Sequence, residues 1–219
     1  MVITVARTDP NPQVSRGLSM SLFLVDTNTP GFSRGRNLEK LGLHAADTSE
    51  LFYEDVRVPG SALLGGLNRG FMILMTELPR ERLALAVGAA AAMEGALQVT
   101  ADYVNERQAF GAPLSRLQNT RFRIADMQTE YRLNRAFINE CISQFKAGQL
   151  DAATASMAKL ASTEAQCRVV DGCLQLFGGY GYMKEYPISR AYADARVQRI
   201  YGGTSEIMRE LVARDVLDN

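Results

Sequence analysis

The chain has 219 residues, 47% of them hydrophobic, with 24 Lys and Arg set against 24 Asp and Glu. That is enough apolar material for a real core, and the balanced charge offers neither a basic field for nucleic acid nor an acidic tail. One histidine, His44, and three cysteines without CxxC spacing, Cys141, Cys167 and Cys173, support neither a disulfide framework nor a metal site, and they leave a histidine-dependent hydrolase without a nucleophile motif.

Residues 2–5, 20–25 and 51–58 are rich in Val, Ile, Leu and Phe and read as strands, with the polar turn residues 26–31 between the second and third. Only part of a sheet is expected, with unpaired backbone along one edge. From about Asn68 the apolar period changes from two to about 3.6. Phe71, Leu74, Met75 and Leu78 share one face, and beyond Pro79 the pattern continues through Leu83, Val87, Ala90, Leu97 and Tyr103. Pro79 removes a backbone donor and predicts a kink before Glu81. The small residues 88–92 give this helix a slim surface. The longest run of small apolar residues, 83–93, ends at Glu94, so no membrane span is expected. Further helices are expected over 117–146, 150–177 and 205–217, with a shorter one near 188–196. Breaks fall at Gly111-Ala112-Pro113, Ala147-Gly148-Gln149 and Gly178-Gly179-Tyr180-Gly181, and Asp151 is a suitable N-cap. The expected fold is therefore mainly α: a four-helix bundle over 61–219, preceded by a partial β domain over 1–60.

The most informative stretch is Tyr201-Gly202-Gly203-Thr204-Ser205-Glu206. A glycine pair stands directly before a helix start that Thr204 or Ser205 can cap, a geometry that suits a phosphate or a polarised carbonyl. Many helices begin this way with nothing bound. Taken with Arg107-Gln108-Ala109-Phe110-Gly111 followed by Leu117-Gln118, with Gln175-Leu176-Phe177-Gly178-Gly179 leading to Tyr186-Pro187, and with the run 51–59, it resembles the C-terminal half of the acyl-CoA dehydrogenases across nearly the whole chain. The long-chain type is the nearest match and the isovaleryl type the second. The family has a further N-terminal helical domain and the start of a β domain, so the chain is expected to begin inside a domain.

The resemblance implies FAD-dependent oxidation of an acyl-CoA thioester to the 2,3-enoyl-CoA, by removal of an α-proton and transfer of a β-hydride to the flavin. It further implies an electron-transferring flavoprotein as acceptor and a homo-oligomer built as a dimer of dimers. The expected location is the cytoplasm of a bacterium or the mitochondrial matrix of a eukaryote. Many members carry the base where this chain has Gly202; the long-chain and isovaleryl types carry it in a Glu-Arg-Leu segment matched by Glu81-Arg82-Leu83. Glu81 is therefore the expected base, against the alternative of a solvated glutamate paired to Arg80 or Arg82. Arg82, Gly202 and Gly203 match substrate contacts, Arg82 otherwise reading as a surface ion pair. Arg107, Phe110 and Gln118 match residues that reach a neighbouring subunit's flavin, with core packing as the alternative for Phe110. Gln175, Leu176, Phe177, Gly178 and Gly179 match a loop beside the dinucleotide, and Thr204, Ser205 and Glu206 match flavin contacts. Other readings are an acyl-CoA oxidase or flavin monooxygenase on the same fold, and a non-catalytic oligomerising bundle.

Overall fold

The computed structural model describes residues 1–11 and 13–218 and divides into two compact units, Met1–Lys40 with His44–Leu78, and Leu41–Leu43 with Pro79–Asn219. In the first unit, β1 (Val2–Arg7) pairs antiparallel with β2 (Met20–Val25) along its whole length, from Val2 opposite Val25 to Arg7 opposite Met20. β2 is central because β5 (Leu63–Leu64) pairs on its other side, and Leu22 and Val25 are accordingly buried. β1 is an edge strand whose outward residues, Ile3 and Val5, are apolar and exposed, a face that β sheets usually cover.

A separate pair joins β3 (Phe32–Asn37) to β4 (Ser49–Tyr53). β3 was not expected, because Phe32-Ser33-Arg34-Gly35-Arg36-Asn37 has no apolar alternation; its pairing with β4 and the edge-to-face packing of Phe32 on Tyr53 hold it. β4 also ends sooner than the apolar run suggested. Asp55 adopts φ +49°, which an extended strand does not allow, so the chain turns before Val58.

The long helix α1 (Gly70–Glu106) runs through Pro79 without a break in its assignment. In the second unit it is followed by a hairpin of β6 (Gln108–Ala109) and β7 (Ala112–Pro113), then by α2 (Gln118–Lys146), α3 (Ala152–Phe177), α4 (Pro187–Ala195) and α5 (Ser205–Leu217). The mainly helical class and four of these helices follow the sequence pattern closely. Asp151 caps α3 as expected, its Oδ1 accepting the Thr154 N–H at 2.7 Å.

α3 is the buried centre of this bundle. Its sequence is dominated by Ala, Ser, Thr and Val, small enough for neighbours to approach on several sides, and Ala158, Ala165, Val169, Val170 and Cys173 are fully buried. Around them pack Ala86, Ala90 and Met93 of α1 and Met127, Tyr131, Ile138 and Cys141 of α2. Part of α1 is, contrary to the reading of its 83–93 run, long and apolar enough to cross a bilayer by length and composition. Ala86, Ala89, Ala90 and Met93 on that helix are fully buried within the protein, which is how a core helix acquires the same composition.

Candidate functional site: an acidic helix face beside a glycine turn

Glu81 and Leu85 lie one turn apart on α1 and so share a face. Gly202 packs on that face: a Cβ built at Gly202 would lie 2.4 Å from Leu85 Cδ1, and its φ of +64° is itself a glycine conformation. The structure thus brings Glu81, which is exposed, to the same side of the bundle as the Gly202–Gly203 turn. Gly203 has φ +103° and is hemmed in by Met208, so neither glycine tolerates a side chain in place.

Beyond the glycines, Thr204 is the N-cap of α5, with Oγ1 accepting the Ile207 N–H at 3.4 Å. Glu206 is exposed in the first helical turn. Its carboxyl is lowered below the usual glutamate range, first by its own backbone N–H and then by the Thr204 hydroxyl, as expected of an acid at a helix N-terminus. Ser205 differs from its neighbours. It is 2% exposed, and its hydroxyl donates inward to Glu164 Oε1 at 2.7 Å. Only its backbone is left to face a ligand.

Arg82 also points inward. It is 6% exposed, with Nη1 donating to Ser156 Oγ at 3.1 Å and Nε without a hydrogen-bond partner. It is therefore not the surface residue that an exposed ion pair would require. Burial pulls its pKa below the ordinary arginine value, and neighbouring Glu81 partly restores it.

Two groups beneath the turn were not identified from sequence. Lys159, one turn after Ser156 on α3, is completely buried and donates from Nζ to the Gly203 carbonyl at 2.7 Å. Burial lowers its pKa and Arg82 lowers it further, while Glu164 and Glu206 act in the opposite sense. Glu164, besides accepting from Ser205, lies 3.0 Å from Arg199 Nε and 3.6 Å from Arg209 Nη2. Burial pushes its carboxyl up, but the hydrogen bonds from Ser205 and Arg199 and the charges of Arg199 and Arg209 together hold it below the usual range. The sequence signal for either residue was a charge in a helix segment rich in small residues, at positions whose face periodicity alone did not fix.

A second cluster lies at the other ends of α1 and α3. The Arg107 guanidinium sits 5.3 Å from the centroid of the Tyr180 ring, which joins the hairpin to the loop Gly178–Tyr182. Phe110 and Gly111 form the hairpin tip with φ +54° and +81°, and Phe110 is 93% exposed, so core packing is ruled out for it. Gln118, the first residue of α2, is exposed, as is Gln175. Gly178 and Gly179 have open space where a side chain would stand, which leaves their backbone accessible to a ligand. Phe177 is 4% exposed and stacks on Tyr103 with ring centroids 4.0 Å apart, and Leu176 packs against the core. Along α1 the two clusters are separated by about 38 Å, at 1.5 Å per residue.

Elsewhere, a cavity of about 530 Å³ lined by Leu41, Glu164, Cys167, Arg168, Tyr192 and Arg196 among others lies against α3. None of the residues expected to contact substrate or cofactor lines it. Cys141, Cys167 and Cys173 are free thiols. Among the described residues no group of His, Cys, Asp and Glu is arranged to hold a metal.

The residues of both clusters suit a flavin dinucleotide: a helix N-terminus and an arginine for its phosphates, accessible glycine backbone and an exposed aromatic ring, with buried cations behind the turn. A helical bundle carrying an acid beside such a turn defines the class. The chain belongs to the acyl-CoA dehydrogenase family: the family's C-terminal domain matches residues 68–217. The long-chain specific acyl-CoA dehydrogenase, mitochondrial, of Sus scrofa is 49% identical over 99% of this chain and 50% of its own length. The crystal structure of an acyl-CoA dehydrogenase from Geobacillus kaustophilus superposes with a TM-score of 0.95 at 44% identity, covering 98% of this chain and 56% of that one. The FAD complex of PigA superposes with a TM-score of 0.89 at 28% identity, over 98% of this chain and 55% of that one. The chain spans about half the length of the relatives it matches.

Proposed function

We propose that this chain is the part of an FAD-dependent acyl-CoA dehydrogenase that carries the catalytic base, and that it acts on long-chain acyl-CoA thioesters, yielding the 2,3-enoyl-CoA. The observation that carries this reading is the packing of Gly202 on Leu85, one turn from Glu81. A thioester laid on the Gly202–Gly203 backbone has Glu81 on the adjacent face, where its carboxylate can take the α-proton. The side chain that many family members place after the tyrosine is absent, and Leu85 fills the space it would need.

When bound, the flavin would supply the hydride acceptor; this chain supplies the base and part of the positioning. Thr204 and the first turn of α5 face the anionic part of the cofactor, with Ser205 turned away to anchor the turn. Arg107, Phe110, Gln118 and the backbone around Gly178 and Gly179 form the second contact set. The separation of about 38 Å between the two sets exceeds the reach of one dinucleotide, which supports a site completed by a second copy and hence a homo-oligomer, here a dimer of dimers. Residues 1–60 correspond on this reading to the end of a β domain, and an electron-transferring flavoprotein is the outgoing acceptor.

The test is the visible spectrum of the 219-residue chain after incubation with excess FAD and removal of free cofactor. A retained flavin band that bleaches on addition of a long-chain acyl-CoA is the expected result. A flavin band indifferent to every acyl-CoA tried would overturn the substrate assignment.

A further inference from the structure

Lysine is rarely buried without a carboxylate partner, because removing its charge from water costs several kcal/mol unless hydrogen bonds compensate. Lys159 is completely buried, and its Nζ donates to a main-chain carbonyl, that of Gly203, at 2.7 Å. A second buried cation, Arg82, neighbours it and has an unpartnered Nε. Two like charges held together in the interior oppose folding, and a structural role in the core would be served more cheaply by apolar side chains. Their position behind the glycine turn accounts for the arrangement.

The Gly203–Thr204 peptide is trans, since no cis bond occurs among the described residues. In a trans peptide the C=O and N–H point in opposite directions. With the Gly203 carbonyl held inward by Lys159, the Thr204 N–H is directed away from α3 and toward the outer side of the turn, where the first N–H groups of α5 also emerge. A cation on the carbonyl also polarises the peptide, so its N–H becomes a stronger donor. Gly203, at φ +103°, needs such a restraint, because glycine has little intrinsic preference for one peptide orientation over another.

We propose that Lys159 is a positioning residue for anion binding at this turn: it fixes and polarises the Gly203–Thr204 peptide so that the Thr204 N–H faces the pyrophosphate of a dinucleotide. The identity of that anion rests on the cofactor reading above; the peptide geometry does not.

The experiment pairs Lys159→Met and Lys159→Gln in the 219-residue chain, with folding checked by far-ultraviolet circular dichroism. The Thr204 amide resonance is read by heteronuclear NMR, and FAD affinity by quenching of flavin fluorescence. The expected result is a displaced Thr204 amide in both variants and an FAD dissociation constant raised about tenfold, the scale of one charge-assisted hydrogen bond. An unmoved amide overturns the orienting role whatever happens to FAD. A displaced amide with unchanged FAD affinity overturns the role in anion binding. If the wild-type chain itself takes up no FAD, the cofactor assignment fails with the anion half of the proposal, while the amide still decides the orienting half. Should both variants unfold, a crystal structure of the wild-type holoprotein decides: Gly203 O remains on Lys159 Nζ, or a flipped peptide refutes the proposal.

Discussion

The two sides of the Gly202–Glu206 turn differ sharply. On the inner side Arg82, Lys159, Glu164 and Ser205 are mostly or wholly buried and bonded to one another's neighbours or to the backbone. On the outer side, and at the distant hairpin, Glu81, Glu206, Arg107, Phe110 and Gln118 are exposed. The inner set resembles a core made of charges, and the outer set an array of side chains open to solvent. The contrast separates residues that hold a site from residues that present it. Substitutions should therefore divide into those that change stability and those that change only what is bound or turned over.

The largest effect is expected at Glu81. Glu81→Gln keeps the fold and the flavin but lowers kcat/KM about a thousandfold, the middle of the range for loss of a general base. Melting temperature and flavin content measured beside the kinetics sharpen the division, because an exposed helix residue should leave both unchanged. A Gln variant with normal turnover would remove Glu81 from the mechanism.

Glu164→Gln tests the opposite side. It removes the charge that Ser205, Arg199 and Arg209 converge on, and should lower unfolding free energy by about 2 kcal/mol in urea titration. The folded pKa of Glu164 is depressed, so its contribution is fully present above the ordinary glutamate range and is lost as pH falls through the lowered folded value. Wild type should thus lose stability over that acidic interval, and the Gln variant should lose less of it. Equal acid sensitivity in the two proteins would mean that Glu164 does not anchor the turn.

The outer residues were all named from the sequence, whereas of the inner set Arg82 and Ser205 were named for ligand contacts and Lys159 and Glu164 were not named at all. Gly-Gly-Thr-Ser, the Arg107-to-Gln118 spacing and Glu81-Arg82-Leu83 are local motifs, and a motif read along the chain names residues whose ligands lie outside it. Lys159 and Glu164 act through contacts with residues 44 and 41 positions away. In Ala-Ser-Met-Ala-Lys-Leu-Ala-Ser-Thr-Glu small residues are spread around the helix, so periodicity could not say which charge points inward. The same limitation explains Arg82, whose neighbour Glu81 is exposed while it is buried. Helix starts and stops were more readable because caps and glycines act within a few residues. Strand β3 was missed because its stability comes from β4 and not from its own side-chain alternation.

A smaller effect is expected at Asp151. The cap bonds from Thr154 N–H and Oγ1 lower its pKa below the usual aspartate range, with a smaller contribution from Ala153. Asp151→Ala should destabilise by about 1 kcal/mol, read as a melting temperature lower by about 2–4 °C. The difference should vanish in acid, since a depressed carboxylate stabilises above its unfolded pKa and ceases to do so once protonated in the folded state. Because α3 carries Lys159 and Glu164, a cap loss that also weakened FAD binding would show that the turn responds to fraying at the N-terminal end of that helix.

Phe110→Ala should have the smallest effect on stability and so gives the strictest test of the division. At 93% exposure the ring makes almost no contact within its own chain, and its removal should change unfolding free energy by less than about 0.5 kcal/mol. Its backbone is already strained at φ +54°, and alanine neither relieves nor worsens that. If the ring reaches the cofactor bound by a second copy, Phe110→Ala should weaken FAD retention or assembly, read by flavin content and sedimentation, while the melting curve of the cofactor-free chain stays in place. A fall in that cofactor-free melting temperature without any change in flavin content would move Phe110 to the residues that hold the fold, and the boundary between the two sets would no longer follow exposure.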